Sequence, residues 1–225
     1  MTVQQLRRLG FVNAYLVEED DGITLIDTMI GRSSGRLLAA ADRLGGRIVR
    51  IVLTHAHGDH IGGLDGLAPR LPHAEVIASA RDARLMARDF SVDADEPQVK
   101  PRGSLPGAAT KPTRTVVGGD RIGSLEVIAT PGHTPGHIAL LDPRDGTLYA
   151  GDAVATIGGV ATTAEAYWRF PLPGSATWHR PTALASARAI LALEPQRLAP
   201  GHGKLVEQPG AALQSAIERA ARRLR

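Results

Sequence analysis

Three histidines and an aspartate fall within six positions of the stretch Thr54-His55-Ala56-His57-Gly58-Asp59-His60. Imidazoles and a carboxylate crowded this closely repel one another or titrate awkwardly unless a positive ion sits between them. A divalent metal does that, taking neutral imidazole nitrogen and carboxylate oxygen as ligands. His55 and His57, two apart in an extended turn, can point to one side. Asp59 and His60 fall where the chain curls into a helix and can point to a neighbouring position. One loop can then feed two adjacent metals.

Flanking elements must present that loop. Residues 48–53 are β-branched and apolar and predict a short buried strand. The run from Ile61 through Leu64 and Leu67 predicts a continuing helix. The cluster therefore sits on a strand-to-helix loop, where a rigid scaffold presents functional groups. Further metal-capable side chains follow later predicted strands. They are His133 in Pro131-Gly132-His133-Thr134-Pro135-Gly136-His137, Asp152 in Gly151-Asp152, and His202 in Pro200-Gly201-His202-Gly203.

Elsewhere the chain alternates strand and helix patterns. Residues 11–17 and 23–28 are apolar runs joined by an acidic turn ending in Asp21-Gly22, a hairpin signal. Asp27 interrupts the second run, as a capping turn residue or as a carboxylate that supports the metal loop. Helical spacing covers 36–44 and stops at Gly45-Gly46. A strand at 74–78 and a helix at 80–90 follow, and His73 reads as a surface-loop histidine. Residues 91–115, with four prolines and no period, read as an insertion or mobile flap within one domain spanning 1–225. Strands are expected at 116–117, 125–129, 138–141, 147–150 and 197–199, and helices at 182–193 and 208–224. The irregular stretch 155–180 holds Tyr167, Trp168, Phe170, Trp178 and His179 in a chain that is only 4% aromatic. Those rings form a pocket wall or pack a long loop.

With 225 residues, 43% hydrophobic and 22% charged, the composition is that of a globular chain and argues against disorder. No cysteine is present, so any metal must be held by nitrogen and oxygen, and disulfides are excluded. No run reaches the length of a membrane span, and residues 1–8 lack the apolar stretch of a secretory signal. The expectation is a cytoplasmic protein. The formal charge of +3 comes almost wholly from arginines spread along the chain. Arg219, Arg222, Arg223 and Arg225 end the last predicted helix, where cations favour the helix dipole, so nucleic acid is not an expected partner.

Taken together, these residues resemble the metallo-β-lactamase fold superfamily. The H-x-H-x-D-H motif stands in full from His55 to His60. A later histidine after Pro-Gly, a Gly-Asp and a Pro-Gly-His-Gly follow in order, and residues 13–17 and 25–28 look like the opening of that family. The resemblance spans nearly the whole chain. It implies an α/β fold, a four-layer αββα sandwich with a two-metal site along one edge. By the family pattern His55, His57 and His133 hold the first metal, Asp59, His60 and His202 the second, and Asp152 bridges both. His137 has no ligand counterpart and is expected to support its loop through a hydrogen bond. Two zinc ions per chain are implied, and iron and manganese tolerate the same donors.

The chemistry so implied is hydrolysis. Two metals share a water and lower its pKa towards about 7, giving a hydroxide that attacks a carbonyl carbon. Asp59 is the expected catalytic residue, orienting that hydroxide and shuttling a proton to the leaving atom. The expected enzyme acts on a small-molecule thioester, ester or lactone, and its metal site is similar to that of glyoxalase II. In N-acyl homoserine lactonases a tyrosine near the site assists, and Tyr167 is the candidate here. Two other readings stay open: a mononuclear-iron dioxygenase of sulfur compounds, and a phosphodiesterase. No membrane partner is expected. Members of the family are often dimers, so the resemblance allows a homodimer, and the sequence itself does not give the oligomeric state.

Overall fold

The computed structural model describes residues 4–225. Residues 1–3, which entered the reading of the chain's start, lie outside them. The first sheet contains β1 (Gln4–Arg8), β2 (Val12–Glu19), β3 (Gly22–Ile26), β4 (Ile48–Val52), β5 (Glu75–Ser79) and β6 (Arg114–Val116), in that spatial order. Its first three strands are antiparallel, and β3 to β6 run parallel. In the second sheet are β7 (Arg121–Ile122), β8 (Leu125–Ala129), β9 (Ile138–Asp142) and β10 (Thr147–Gly151). After a small ribbon of β11 (Val154–Ala155) and β12 (Ala161–Thr162), β13 (Arg197–Pro200) and β14 (Val206–Glu207) complete it, in the order β14-β13-β10-β9-β8-β7.

Period-two alternation sorts the side chains into layers. Tyr15, Val17, Ile26, Val52 and Ile77 of the first sheet meet Val127, Ile138, Leu140 and Tyr149 of the second. The opposite residues of the first sheet, such as Leu16, Leu25 and Ile51, pack under helices. These helices are α1 (Ser34–Arg43), α2 (Gly58–Ile61), α3 (Leu64–Leu67) and α4 (Ala80–Met86). On the far side, Leu148, Ala150 and Leu198 pack against Ile190 and Leu213. Those two residues lie on α6 (Arg180–Ala192) and α7 (Gly210–Arg223), and a short α5 (Leu172–Ala176) precedes them. The layers are helix, sheet, sheet, helix, as the resemblance implied.

The helix expected from Ile61 onward is broken. Here α2 and α3 are separated by Gly62-Gly63, and a Cβ on Gly63 would lie 2.3 Å from the Thr28 carbonyl oxygen. Backbone groups that would continue the helix bond the crossing segment instead: Thr28 N–H donates to His60 O and Gly63 N–H to Met29 O. The helix expected at 80–90 stops at Met86, just before Arg88 in the left-handed region. No helix or strand lies between Met86 and Arg114, where the irregular 91–115 segment was expected. Its last two residues belong to β6. No helix among the described residues is long and apolar enough to cross a membrane.

Candidate metal centre

One edge of the sandwich collects the carboxyl ends of four strands. The loop after β4 supplies His55, His57, Asp59 and His60; β8 leads to His133, β10 ends at Asp152, and β13 ends at His202. Ligand sites in open α/β sheets form at such carboxyl ends. All seven residues converge. Ligand atoms of His55, His57 and His133 lie within 4.8 Å of one another, and so do those of Asp59, His60 and His202. Asp152 stands between the two groups. Its carboxylate is 3.4 Å from His60 Nε2, 3.5 Å from His133 Nε2 and 3.1 Å from His202 Nε2.

The outward nitrogen of each imidazole is occupied, and its partner fixes the tautomer. His60 Nδ1–H donates to Asp27 Oδ2 at 2.7 Å. His57 Nε2–H donates to the Arg102 carbonyl at 2.8 Å, and His202 Nδ1–H to the Phe11 carbonyl at 3.2 Å. Thr177 gives its own proton to the Pro173 carbonyl and so accepts from His133 Nδ1 at 3.0 Å. Thr54 Oγ1 likewise donates to Asp27 and accepts from His55 Nδ1 at 3.1 Å. The other nitrogen of each ring therefore faces inward, and is the one that offers a lone pair once the ring is neutral. His57 Nδ1 and His133 Nε2 face each other at 2.9 Å, a repulsive meeting of lone pairs that a cation relieves. His55 Nε2, His60 Nε2 and Asp152 Oδ1 are buried without any hydrogen-bond partner among the described residues. Orphaned atoms of this kind, nitrogen and carboxylate oxygen converging in one place, fit a pair of metal ions.

Electrostatics follow the same partition. Burial, with the neighbouring imidazoles, holds His55 and His133 well below the usual histidine range, and burial lowers His57 too. These three stay neutral. Burial opposes charge on His60 and His202 as well, but carboxylates overcome it. Asp152, Asp27 and Asp59 raise His60 well above its usual range, and Asp152 with Asp59 raise His202 to about 9. Asp59 is correspondingly lowered to about 2, burial being outweighed by His60 and His202.

Two supporting carboxylates hold the frame. Asp27, one of whose two readings was support of the metal loop, accepts from Thr54 N–H at 2.8 Å as well as from His60. Asp82 on α4 was missed by sequence reasoning, because nothing near it in the chain is metal-capable. It is buried and accepts from Ala56 N–H, Thr134 Oγ1 and Gly136 N–H, so it ties the 54–60 loop to the 131–137 loop. His137 plays the structural part expected of it: Nδ1 meets Thr130 Oγ1 at 2.8 Å, and Nε2 accepts from Asp152 N–H at 3.0 Å. His73 is exposed and stands apart.

The cluster floors a cavity of about 630 Å³. Of the aromatic stretch, Phe170 lines it, whereas Trp178 is buried and donates through Nε1 to Val99 O at 2.7 Å. Tyr167 does not line the cavity; its hydroxyl donates to the Gly158 carbonyl at 3.0 Å beneath Arg219, so it has no part like that of the lactonase tyrosine. His179 caps the start of α6.

Comparison with known proteins agrees with this architecture. The metallo-beta-lactamase superfamily matches over residues 7–202. The chain belongs to that superfamily. It is 46% identical over 210 residues to protein YobT of Bacillus subtilis (strain 168), covering 93% of this chain and 90% of YobT. It is 28% identical over 217 residues to YflN of the same organism, a probable metallo-hydrolase, covering 85% of this chain and 80% of YflN. Among solved structures, TTHA1623 in a di-iron-bound form superposes with a TM-score of 0.67 at 31% identity, over 94% of this chain and 97% of the other.

Proposed function

We propose that this superfamily member is a binuclear metal-dependent hydrolase of an ester-like carbonyl, a small-molecule thioester, ester or lactone. His55, His57 and His133 would hold one metal, Asp59, His60 and His202 the other, and Asp152 both. The observation that carries this reading is the convergence of five inward imidazole nitrogens, two of them orphaned and buried, on the floor of an open cavity. A metal pair held there supplies a water of lowered pKa and polarises a carbonyl oxygen. The name of YflN and the di-iron form of TTHA1623 support metal-dependent hydrolysis and two metals. Zinc suits the donor set, and iron suits it equally.

The chain's own residues supply the rest. Asp59 is the most open of the two candidate carboxylate ligands, with 34% of its side chain exposed against 4% for Asp152, and it lines the cavity. Held ionised, it can accept the proton of the attacking water and pass it to the leaving oxygen or sulfur. The outward hydrogen bonds to Asp27, Arg102, Phe11, Thr177 and Thr54 leave the inward nitrogen of each ring as the one that a metal would take, with His60 and His202 giving up a proton to bind it. Ligands come from both sheets, which supports one domain across the described chain. A complete second group, Asp59, His60 and His202, supports two metals over a mononuclear iron dioxygenase.

The test is a panel of thioester, aryl ester, lactone and bis-p-nitrophenyl phosphate, run on metal-loaded and chelated protein. Metal-dependent turnover of a carbonyl substrate is expected. Turnover of the phosphodiester alone, or oxygen uptake with sulfur substrates and one iron per chain, would overturn the reading.

A further inference from the structure

Beyond the metal ligands, the cavity is walled by Phe11, Ile30, Pro106, Phe170, Leu172 and Ala176. Ser104 adds the one side-chain hydroxyl, and no lysine or arginine is among the lining residues. The apolar wall begins at the ligands themselves. Phe11 and Phe170 meet edge to face at 5.8 Å, and their rings lie 5.9 Å and 5.4 Å from the His202 ring. It continues to Leu172, a lining residue that is 61% exposed. Large side chains left uncovered beside a cavity are a feature of ligand grooves. A volume of about 630 Å³ lies in the range that takes a drug-sized molecule.

Along these walls, above the metal floor, a carboxylate or phosphate of the substrate's distal parts loses its water and meets no lysine or arginine among the lining residues. Methylene and aryl groups gain from the same transfer. We infer that the substrate is an uncharged acyl ester or thioester with an aliphatic or aryl acyl group, and that the 170–172 segment is what reads it. This rests on the hydrolase reading above and narrows it, setting the chain apart from a hydrolase of anionic glutathione conjugates. The reaction balances as hydrolysis. The water oxygen bonds to the acyl carbon and the acyl–oxygen or acyl–sulfur bond breaks. One water proton stays with the carboxylic acid, and the other goes to the leaving alcohol or thiol.

A matched pair of substrates tests it on the metal-loaded full chain. S-hexanoyl-N-acetylcysteamine and S-hexanoylglutathione share the acyl group and the scissile bond and differ in the charge of the thiol portion. The neutral thioester is expected to have a kcat/KM at least about 10-fold higher, and S-acetyl-N-acetylcysteamine is expected to fall below the hexanoyl compound. Leu172→Lys, at an exposed position, should shrink or invert the charge preference. Equal or better turnover of the glutathione thioester overturns the inference and leaves the hydrolase reading standing. An unchanged ratio in Leu172→Lys removes the role of the 170–172 segment. No turnover of either thioester, of p-nitrophenyl hexanoate or of a lactone, with metals bound, overturns both readings together.

Discussion

His60 shows at the scale of one residue how the centre is built. Nδ1 is held by Asp27, and Nε2 is left buried and unpartnered, aimed at Asp152. Because Asp27 sets the tautomer, Asp27→Asn should fold and yet weaken metal binding about 10–100-fold. Competition against a chelating dye measures this, and an unchanged affinity would contradict the role. A second prediction concerns chelated protein. His202 is raised to about 9 from the ordinary 6.5 by Asp152 and Asp59, against burial. A raised histidine adds stability that is full below its unfolded pKa and lost as pH rises through the folded one. Through His202 alone, the unfolding free energy of the chelated chain should therefore fall between pH 6.5 and about 9 by on the order of 3 kcal/mol. His60 acts in the same sense. Denaturant titrations across that range check it, and a flat or rising profile would contradict it. Much of this scale was legible in the chain, since His55 to His60 crowd together without help from the fold. Asp82 was not, because its partners Ala56, Thr134 and Gly136 reach it only through tertiary packing.

At the scale of elements, the irregular segment between α4 and β6 clasps the metal loop. Arg102 O receives His57 Nε2–H, Ser104 O receives Gly58 N–H at 2.9 Å, and Val99 O is held by Trp178. The same Trp178 donates its backbone N–H to His133 O at 3.0 Å, beside the Thr177 hydroxyl that holds the His133 ring. One clasp thus braces two of the residues proposed for a single metal. Gly103 sits at its tip with φ +89, and a Cβ there would lie 2.3 Å from His57 Nε2. Gly103→Ala should displace the ring or the clasp and lower kcat/KM about 100-fold, with little change in Tm because no helix or strand is touched. Wild-type kinetics in that variant would contradict the clasp. Elements such as β2, β4, β9 and α7 were legible, since a continuous apolar run or helical spacing marks each of them. Short edge strands such as β7 and β14 were not, because two paired residues carry no period of their own. The break between α2 and α3 was hidden for another reason, since only the crossing of residues 28–31 decides it.

For the whole molecule, two sheets must pack face to face to bring the ends of β4, β8, β10 and β13 to one edge. Leu140 is fully buried in the layer between them, and Leu140→Ala should cost about 2–5 kcal/mol, seen as a lower midpoint in denaturant. A loss well under 1 kcal/mol would mean that this layer does not hold the sheets together. The layered fold was legible through the spacing of the motifs and their resemblance to a known family, whereas of the apolar cavity only the Phe170 side was. Phe11 and Phe170 are far apart in the chain and meet only once β2 lies beside the end of β13. The proposed function requires two metals at this edge. Metal analysis by mass spectrometry of protein purified without chelator tests it most directly, with Asp152→Ala alongside. About two metal ions per wild-type chain are expected, and fewer than about one in the variant. A fully active wild-type protein with one metal or none, or a variant that keeps both, would contradict it.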